Sequence, residues 1–143
     1  MPKKNSMKIQ FSSNSSNESF ARVAVAAFIS QLDPTVEEIY DIKMAVSEAV
    51  TNSIIHGYEG RDDGEICINC AYEDELISIE VTDNGKGIVN IEEAMTTLYT
   101  TSRDEERAGL GFTVMLSMMN EVHVFSEVGN GTTVKMKKTL GVE

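Results

Sequence analysis

Basic residues are in short supply. The 143-residue chain carries 12 Lys and Arg against 23 Asp and Glu, a formal net charge of −11. Nucleic-acid binding rests on clustered cations that release counterions from phosphates, so no direct nucleic-acid partner is expected. A smaller phosphate ligand would depend on a metal, on backbone N–H groups or on a few positioned cations. Long apolar runs are missing too. No stretch of about 18 apolar residues occurs, so no membrane span is expected. The opening residues, MPKKNSMKIQFSS, have lysines but no apolar segment, so no secretory signal is read there and the cytoplasm is the expected compartment.

Cysteine is scarce as well: two residues, forming the C-x-x-C of "EICINCAY". That segment alternates Ile66, Ile68, Cys70 and Tyr72 on one side with Cys67, Asn69 and Ala71 on the other. Strand residues three apart point to opposite faces, so the two thiols diverge. A single pair also lacks the second pair that a zinc site needs. Reduced cysteines in a cytosolic strand are the expectation. No internal repeat and no long linker interrupt the chain. Its hydrophobic share of 41% and charged share of 24% suit one globular domain over residues 1–143.

The pattern along that domain mixes strands and helices. "MKIQFSS" reads as a first strand, with Met7, Ile9 and Phe11 alternating, and Ser16 and Asn17 are N-cap candidates for the next element. "SFARVAVAAFISQLD" is a helix apolar nearly all round, with Arg22 the exception. Such a helix is either wrapped by its own core or shows part of its face to another chain. "DPTVEEIYDIKMAVSEAVTNSIIHG" starts with Asp33 as cap and Pro34 in the first turn, and Gly57 is its expected stop. "GEICINCAY" and "ELISIEVTD" are strands, "NIEEAMTTL" a candidate short helix, and "LGFTVMLSMMN" a helix. Phe112, Met115, Leu116 and Met119 form its core stripe. "EVHVFSE" and "TTVKMKKTL" close the chain as a hairpin. The irregular alternation suggests helices layered on one sheet.

Four short motifs stand out within that frame. Glu48, Asn52 and His56 recur at i, i+4 and i+8 on one side of a helix, away from the stripe of Ile39, Ile42, Val46, Val50 and Ile54. Alone, that row reads equally as the wet side of an amphipathic helix. In "ELISIEVTDNGKGI", Asp83 shares a face with Ile77, Ile79 and Val81, which carries its carboxylate toward the covered side, where it needs donors. Gly85 and Gly87 after it allow close backbone approach. In "ERAGLGF", Gly109 and Gly111 would leave free N–H groups at a helix N-terminus, with Arg107 just before. In "GNGTTV", Thr132 points inward with Val134 and Met136, toward the layer that Asp83 faces.

The order of these motifs resembles the Bergerat nucleotide-binding arrangement. That superfamily joins gyrase-type ATPases, the heat-shock chaperone ATPase, mismatch-repair ATPases and histidine kinases. The resemblance runs from about Met7 to Leu140, and no G-x-x-x-x-G-K-[ST] offers the other common ATP loop. "NESFARVAVAAFISQLDPT", "VSEAVTNSIIHGYE" and "LYTTSRDEERAGLGFTVM" are similar to the anti-sigma serine kinases of spore-forming bacteria. Histidine kinases usually have glycine where Arg107 stands and often histidine where Ser47 precedes the glutamate. No segment reads as a phosphohistidine hairpin or as the transducer domain of gyrase-like relatives.

The resemblance implies an α+β fold: a Bergerat-type two-layer sandwich, with helices packed on one face of a mixed, mostly antiparallel sheet. It implies ATP/ADP and Mg2+ as cofactors and an ATP lid at about residues 88–108. Glu48 would be the general base. Asn52 would be a nucleotide-site residue and the magnesium ligand. Asp83 would read adenine with Thr132 in support, Gly85 and Gly87 would begin the lid, and Gly109 and Gly111 would approach the phosphates. Arg107 would neutralise charge on the transferring phosphoryl group. His56 is expected to be structural, since helix drift carries it about 80° from Glu48. The implied activity is transfer of the ATP γ-phosphate to a serine of an anti-anti-sigma protein, by a homodimer that holds a sporulation sigma factor of the F type. Arg22 on the apolar first helix is the candidate contact with other chains. A related stress-response anti-sigma kinase, or a nucleotide-gated binding module without significant kinase activity, would share much of this pattern.

Overall fold

Residues with period-2 alternation build the sheet, and those with helical spacing cover one side of it. The computed structural model describes residues 3–89 and 103–141, and of residues 103–110 the backbone alone. Strand β1 (Lys4–Ser12) leads into helix α1 (Asn17–Ile29), which ends in a short 3₁₀ turn. Helix α2 (Val36–Asn52) runs on into a π-helical turn, Ser53–Gly57. Strands β2 (Glu65–Glu73) and β3 (Leu76–Asp83) come next, then helix α3 (Arg103–Met118) and strands β4 (Glu121–Glu127) and β5 (Gly131–Thr139). The candidate helix "NIEEAMTTL" lies outside the described residues, as does most of the expected lid.

The five strands lie in the order β1-β2-β3-β5-β4. Every pairing among the described strands is antiparallel, within the mixed, mostly antiparallel sheet expected. Register explains why one face is dry. Ile9, Ile68, Val81, Val134 and Val124 stand opposite one another across all five strands, forming a branched apolar row under the helices. One residue along, Lys8, Asn69, Glu80, Lys135 and His123 form the matching row on the other face. A slip of one residue would exchange the two rows, so burial holds the register. The same alternation separates the thiols as expected. Cys70 is buried and pushed up to about 12 by burial, while Cys67 lies on the polar face.

Helix α2 is the central covering element. Ile42, Val46, Val50 and Ile54 are buried as the stripe requires, and Ala45 and Ala49 let neighbouring helices approach closely. Its start differs from expectation. Thr35 is the N-cap: its hydroxyl accepts from the Glu38 N–H at 3.1 Å, and the Glu38 carboxylate accepts from the Thr35 N–H at 2.8 Å. This reciprocal capping box satisfies two orphan donors at once, which a cap at Asp33 would not. Asp33 instead takes a left-handed turn, φ 52°, that ends the segment after α1. Helix α1 buries Ala21, Val25, Phe28 and Ile29 but leaves Phe20 and Val23 more than half exposed. Phe112 and Met115 in α3 and Met119 just past its end are buried, whereas Leu116 sits at the edge of the stripe and is exposed. Among the described residues, no helix is long and apolar enough to cross a membrane.

The capping box makes a measurable contribution. Thr35→Ala is expected to cost about 1 kcal/mol, a fall in melting temperature of about 3 °C. Hydrogen bonds from the Thr35 and Gly141 backbone hold Glu38 below its ordinary value of 4.5. The Glu38 share of the cap is therefore present above pH 4.5 and lost as the pH falls through its lowered value. Glu38→Gln removes the titrating carboxylate, so thermal melts of wild type and Glu38→Gln between pH 7 and 3 (about 1 pH unit apart) should converge at the acid end.

Candidate nucleotide-binding site

Two consecutive residues at the end of α2 serve two different parts of one site. Asn52 faces α3, and Ser53 reaches the end of β3. The π-helical turn that begins at Ser53 is closed by the Tyr58 N–H donating to the Ser53 carbonyl at 2.9 Å. Turns of this width are frequent at functional positions because they re-aim side chains without ending the helix.

Asp83 ends β3 with its carboxylate buried, at 4% exposure. Three donors meet it. The Ser53 hydroxyl donates to Oδ2 at 2.8 Å, and the N–H groups of Gly85 and Thr132 donate to Oδ1 at 2.9 and 3.2 Å. Burial nevertheless dominates and raises its pKa, with those three bonds acting in the opposite direction. A carboxylate has about four acceptor positions, so one on Oδ2 stays open to a ligand donor such as an exocyclic amine.

Space for this carboxylate comes from residues without side chains. A Cβ at Gly57 would stand 3.1 Å from Asp83 Oδ1, and one at Gly131 would stand 2.1 Å from the Asp83 carbonyl oxygen. Gly57 therefore differs from the expected helix stop. It is not a positive-φ residue; Glu59 at φ 56° and Gly60 at φ 81° make the left-handed exit. A side chain at Gly57 would press on the Asp83 carboxylate, which three donors hold in place.

The second half of the site lies between α2 and α3. A Cβ on Gly111 would stand 3.1 Å from Glu48 Oε2, 3.1 Å from Asn52 Nδ2 and 3.3 Å from Asn52 Oδ1. The helix backbone thus passes directly over both side chains, and the missing Cβ leaves room there. Asn52 Nδ2 is buried with no hydrogen-bond partner among the described residues, which is the state of a group built to meet a ligand. Glu48 is half-buried, and its pKa is raised by burial and secondarily by the nearby charge of Glu18. Glu18 itself accepts from the Ser47 hydroxyl and lies 3.9 Å from the Arg22 guanidinium. No cluster of three or more His, Cys, Asp or Glu residues able to hold a metal occurs among the described residues. Magnesium does not require one, because it is commonly held by one or two protein oxygens together with phosphates and water. The amide oxygen of Asn52 fits that role.

Gly85 and Gly87 occupy the turn leaving β3. Gly87 has φ 78°, and a Cβ on it would stand 2.4 Å from the Glu127 carbonyl oxygen, so it is a packing point against the β4–β5 turn. Thr132 meets Asp83 through its backbone N–H, while its hydroxyl pairs with Ser126 at 2.8 Å. Gly109 and Gly111 lie inside α3, which starts at Arg103 rather than at the glycines. The preceding Arg-Asp-Glu-Glu-Arg-Ala contains good helix formers and early acidic residues, which favour an earlier start. The Arg107 side chain lies outside the described part of the structure. His56 is partly buried on the π-helical turn. Ser53, Tyr58 and Ser126 were not singled out from the sequence. Ser53 directly succeeds Asn52 and was legible only as one more helix residue; Ser126 pins the Ile88 N–H at 2.7 Å from a strand position with no motif around it.

Comparison with known proteins places this geometry. The family model described as "Histidine kinase-like ATPase domain" matches residues 11–138. The anti-sigma F factor of Clostridium novyi is 60% identical over 136 residues, 95% of each chain. That of Clostridium beijerinckii is 57% identical over 138 residues, 96% of each chain. That of a Thermoanaerobacter species is 58% identical over 137 residues, covering 96% of this chain and 95% of the relative. In structure, the RsbU and RsbW domains of a Mycobacterium tuberculosis protein match with a TM-score of 0.70 at 20% identity, over 95% of this chain and 32% of that one, a likeness of fold. With its motifs assembled on that fold and such identity over nearly its whole length, the chain belongs to the anti-sigma F factor family of histidine kinase-like ATPase domains.

Proposed function

We propose that the chain is an ATP-dependent serine protein kinase that sequesters a sporulation sigma factor and phosphorylates a serine on its anti-anti-sigma antagonist. ATP binding is implied by the family; the kinase step is supported above all by Glu48. It is a half-buried carboxylate with a raised pKa, beside Asn52 and close under the side-chain-free backbone of Gly111. A module that only binds nucleotide would have no need of a base there. The anti-sigma F relatives favour a sporulation sigma factor over a stress-response one.

In this reading Asp83 accepts one hydrogen bond from the adenine amine at its open Oδ2 position. Glu48 takes the proton from the antagonist's serine hydroxyl as that oxygen forms its bond to the γ-phosphorus. The bond to the β-phosphate oxygen breaks, and ADP carries the displaced charge. A raised pKa matches a base to that task, since efficiency peaks when the pKa approaches the working pH. Asn52 would hold Mg2+, which supplies charge neutralisation among the phosphates when bound. Gly109 and Gly111 let the α3 backbone come near the phosphates, and Arg107 neutralises charge on the transferring group. The chain acts as a homodimer in the cytoplasm. Phe20 and Val23 form an exposed apolar patch on α1, and the half-buried Arg22 lies to one side of it beside Glu18, so a partner docking on that patch would meet Arg22 at its edge.

Glu48→Gln is expected to lower phosphoryl transfer to the purified antagonist by about 10²–10⁴-fold, with ATP affinity kept. Transfer of labelled γ-phosphate measures this, and a wild-type rate would remove Glu48 as the base. The same variant should melt higher than wild type at neutral pH, because ionised Glu48 sits partly out of water near Glu18. Its folded pKa is raised, so the gain shrinks as the pH falls toward the ordinary carboxylate value of 4.5, where both folded and unfolded wild type become protonated. For the contact surface, Arg22→Ala is expected to weaken capture of the sigma factor by about tenfold while ATP affinity, read by calorimetry, stays unchanged.

A further inference from the structure

Tyr58 is buried to 4% exposure one residue beyond the π-helical turn, and nothing in the proposed chemistry uses it. Its ring is wedged: a Cβ on Gly64 would stand 2.5 Å from two of its carbons. Its hydroxyl has two partners on different strands. It donates to the Glu65 carbonyl at 2.5 Å, at the start of β2, and accepts from the Asn84 N–H at 2.7 Å, just past the end of β3. A phenol has a single proton, so with that proton on Glu65 the oxygen can only accept from Asn84. The two bonds therefore fix each other.

These contacts reach both sides of the Asp83 carboxylate. The Tyr58 backbone N–H closes the turn on the Ser53 carbonyl, and Ser53 is the donor to Oδ2. The Tyr58 hydroxyl holds Asn84, and the next residue, Gly85, is a donor to Oδ1. The turn is further tied by the Lys86 N–H donating to the Gly57 carbonyl at 2.9 Å. With both carboxylate oxygens gripped by donors that depend on Tyr58, the direction of the one open acceptor position depends on it too. Binding energy from a base is a matter of that direction, because a hydrogen bond weakens steeply when bent.

We infer that Tyr58 is a positioning residue for base selectivity: through Asn84 and Ser53 it aims Asp83 at an adenine amine and away from the carbonyl of guanine. The inference rests on the reading of Asp83 as the base reader. A phenol that served packing alone would stabilise the fold without distinguishing one base from another.

The test uses the full chain with two variants that disturb the Tyr58 hydroxyl in different ways. Tyr58→Phe removes the acceptor of the Asn84 N–H, and Gly64→Ala keeps the hydroxyl but forces the ring to shift, since its Cβ would stand 2.5 Å from two ring carbons. Dissociation constants for ATP, GTP and inorganic tripolyphosphate are measured by calorimetry, alongside the melting temperature. Each variant is expected to bind ATP about fivefold more weakly, with GTP and tripolyphosphate unchanged, so that the ATP-to-GTP preference narrows by the same factor. In phosphotransfer, KM for ATP should rise with kcat retained. Selectivity equal to wild type in both variants, or an equal loss for all three ligands with a lower melting temperature, would overturn the inference. A wild-type chain that bound ATP and GTP alike would overturn the Asp83 reading, and this inference with it. Should one variant fail to fold, the other still decides the outcome.

Discussion

Burying one carboxylate organises much of this molecule. A charged group out of water costs several kcal/mol unless donors surround it, and Asp83 gathers them from three places in the chain. Ser53 comes from the end of α2, Gly85 from the turn after β3, and Thr132 from the start of β5. Each donor fixes the position of its own element. The end of the helix, the exit of a central strand and the entry to its neighbour are thereby held in one geometry. Gly57 and Gly131 answer the same requirement, since a side chain at either position would occupy space that Asp83 already fills.

Helix α2 then connects this anchor to the rest of the site. Glu48 and Asn52 project from it toward the backbone of α3, while its buried stripe seats it on the sheet. Positions along a helix are rigid relative to one another, so Asp83 is at a fixed remove from Glu48 and Asn52. In the proposed reading, the strongly acidic chain would hold an anionic ligand with few cations, using backbone N–H groups, an amide and the close approach that glycine allows. Burial and, secondarily, the charge of Glu18 raise the pKa of Glu48 in this setting. Glu18 in turn is engaged by Ser47 and Arg22, which links the neighbourhood of Glu48 to α1.

Much of the fold was legible because its signals are local. Alternation in "EICINCAY" and "ELISIEVTD" placed two strands and sent the thiols to opposite faces. The covered position of Asp83 came from its phase with Ile77, Ile79 and Val81. Local rules also erred where two of them competed. Asp33 and Thr35 both suit an N-cap, and the capping box with Glu38 decided for Thr35. The glycines of "AGLGF" suggested a helix start, but the strong helix formers before them carried α3 back to Arg103. Leu116 fell at the border of its stripe, where a rotation of a few tens of degrees separates core from solvent.

Period and capping are set by neighbours in the chain, so the sequence by itself determined most of the helices and strands, the inward face of each strand and the row of Glu48 and Asn52 along α2, while His56 falls on the π-helical turn beyond it. What that row and the glycines were for depended on contacts that no local window contains. Ser53 finds Asp83 across 30 residues, Asn84 finds Tyr58 across 26, and Thr132 finds Asp83 across 49. Only the tertiary structure decided that Gly57 is a vacancy for a carboxylate rather than a helix stop, that Gly111 lies over Glu48 and Asn52, and that Ser53 and Tyr58 belong to the site. The physical reason is that hydrogen bonding and excluded volume act between atoms in space, whichever elements carry them, whereas hydrophobic period acts along the chain.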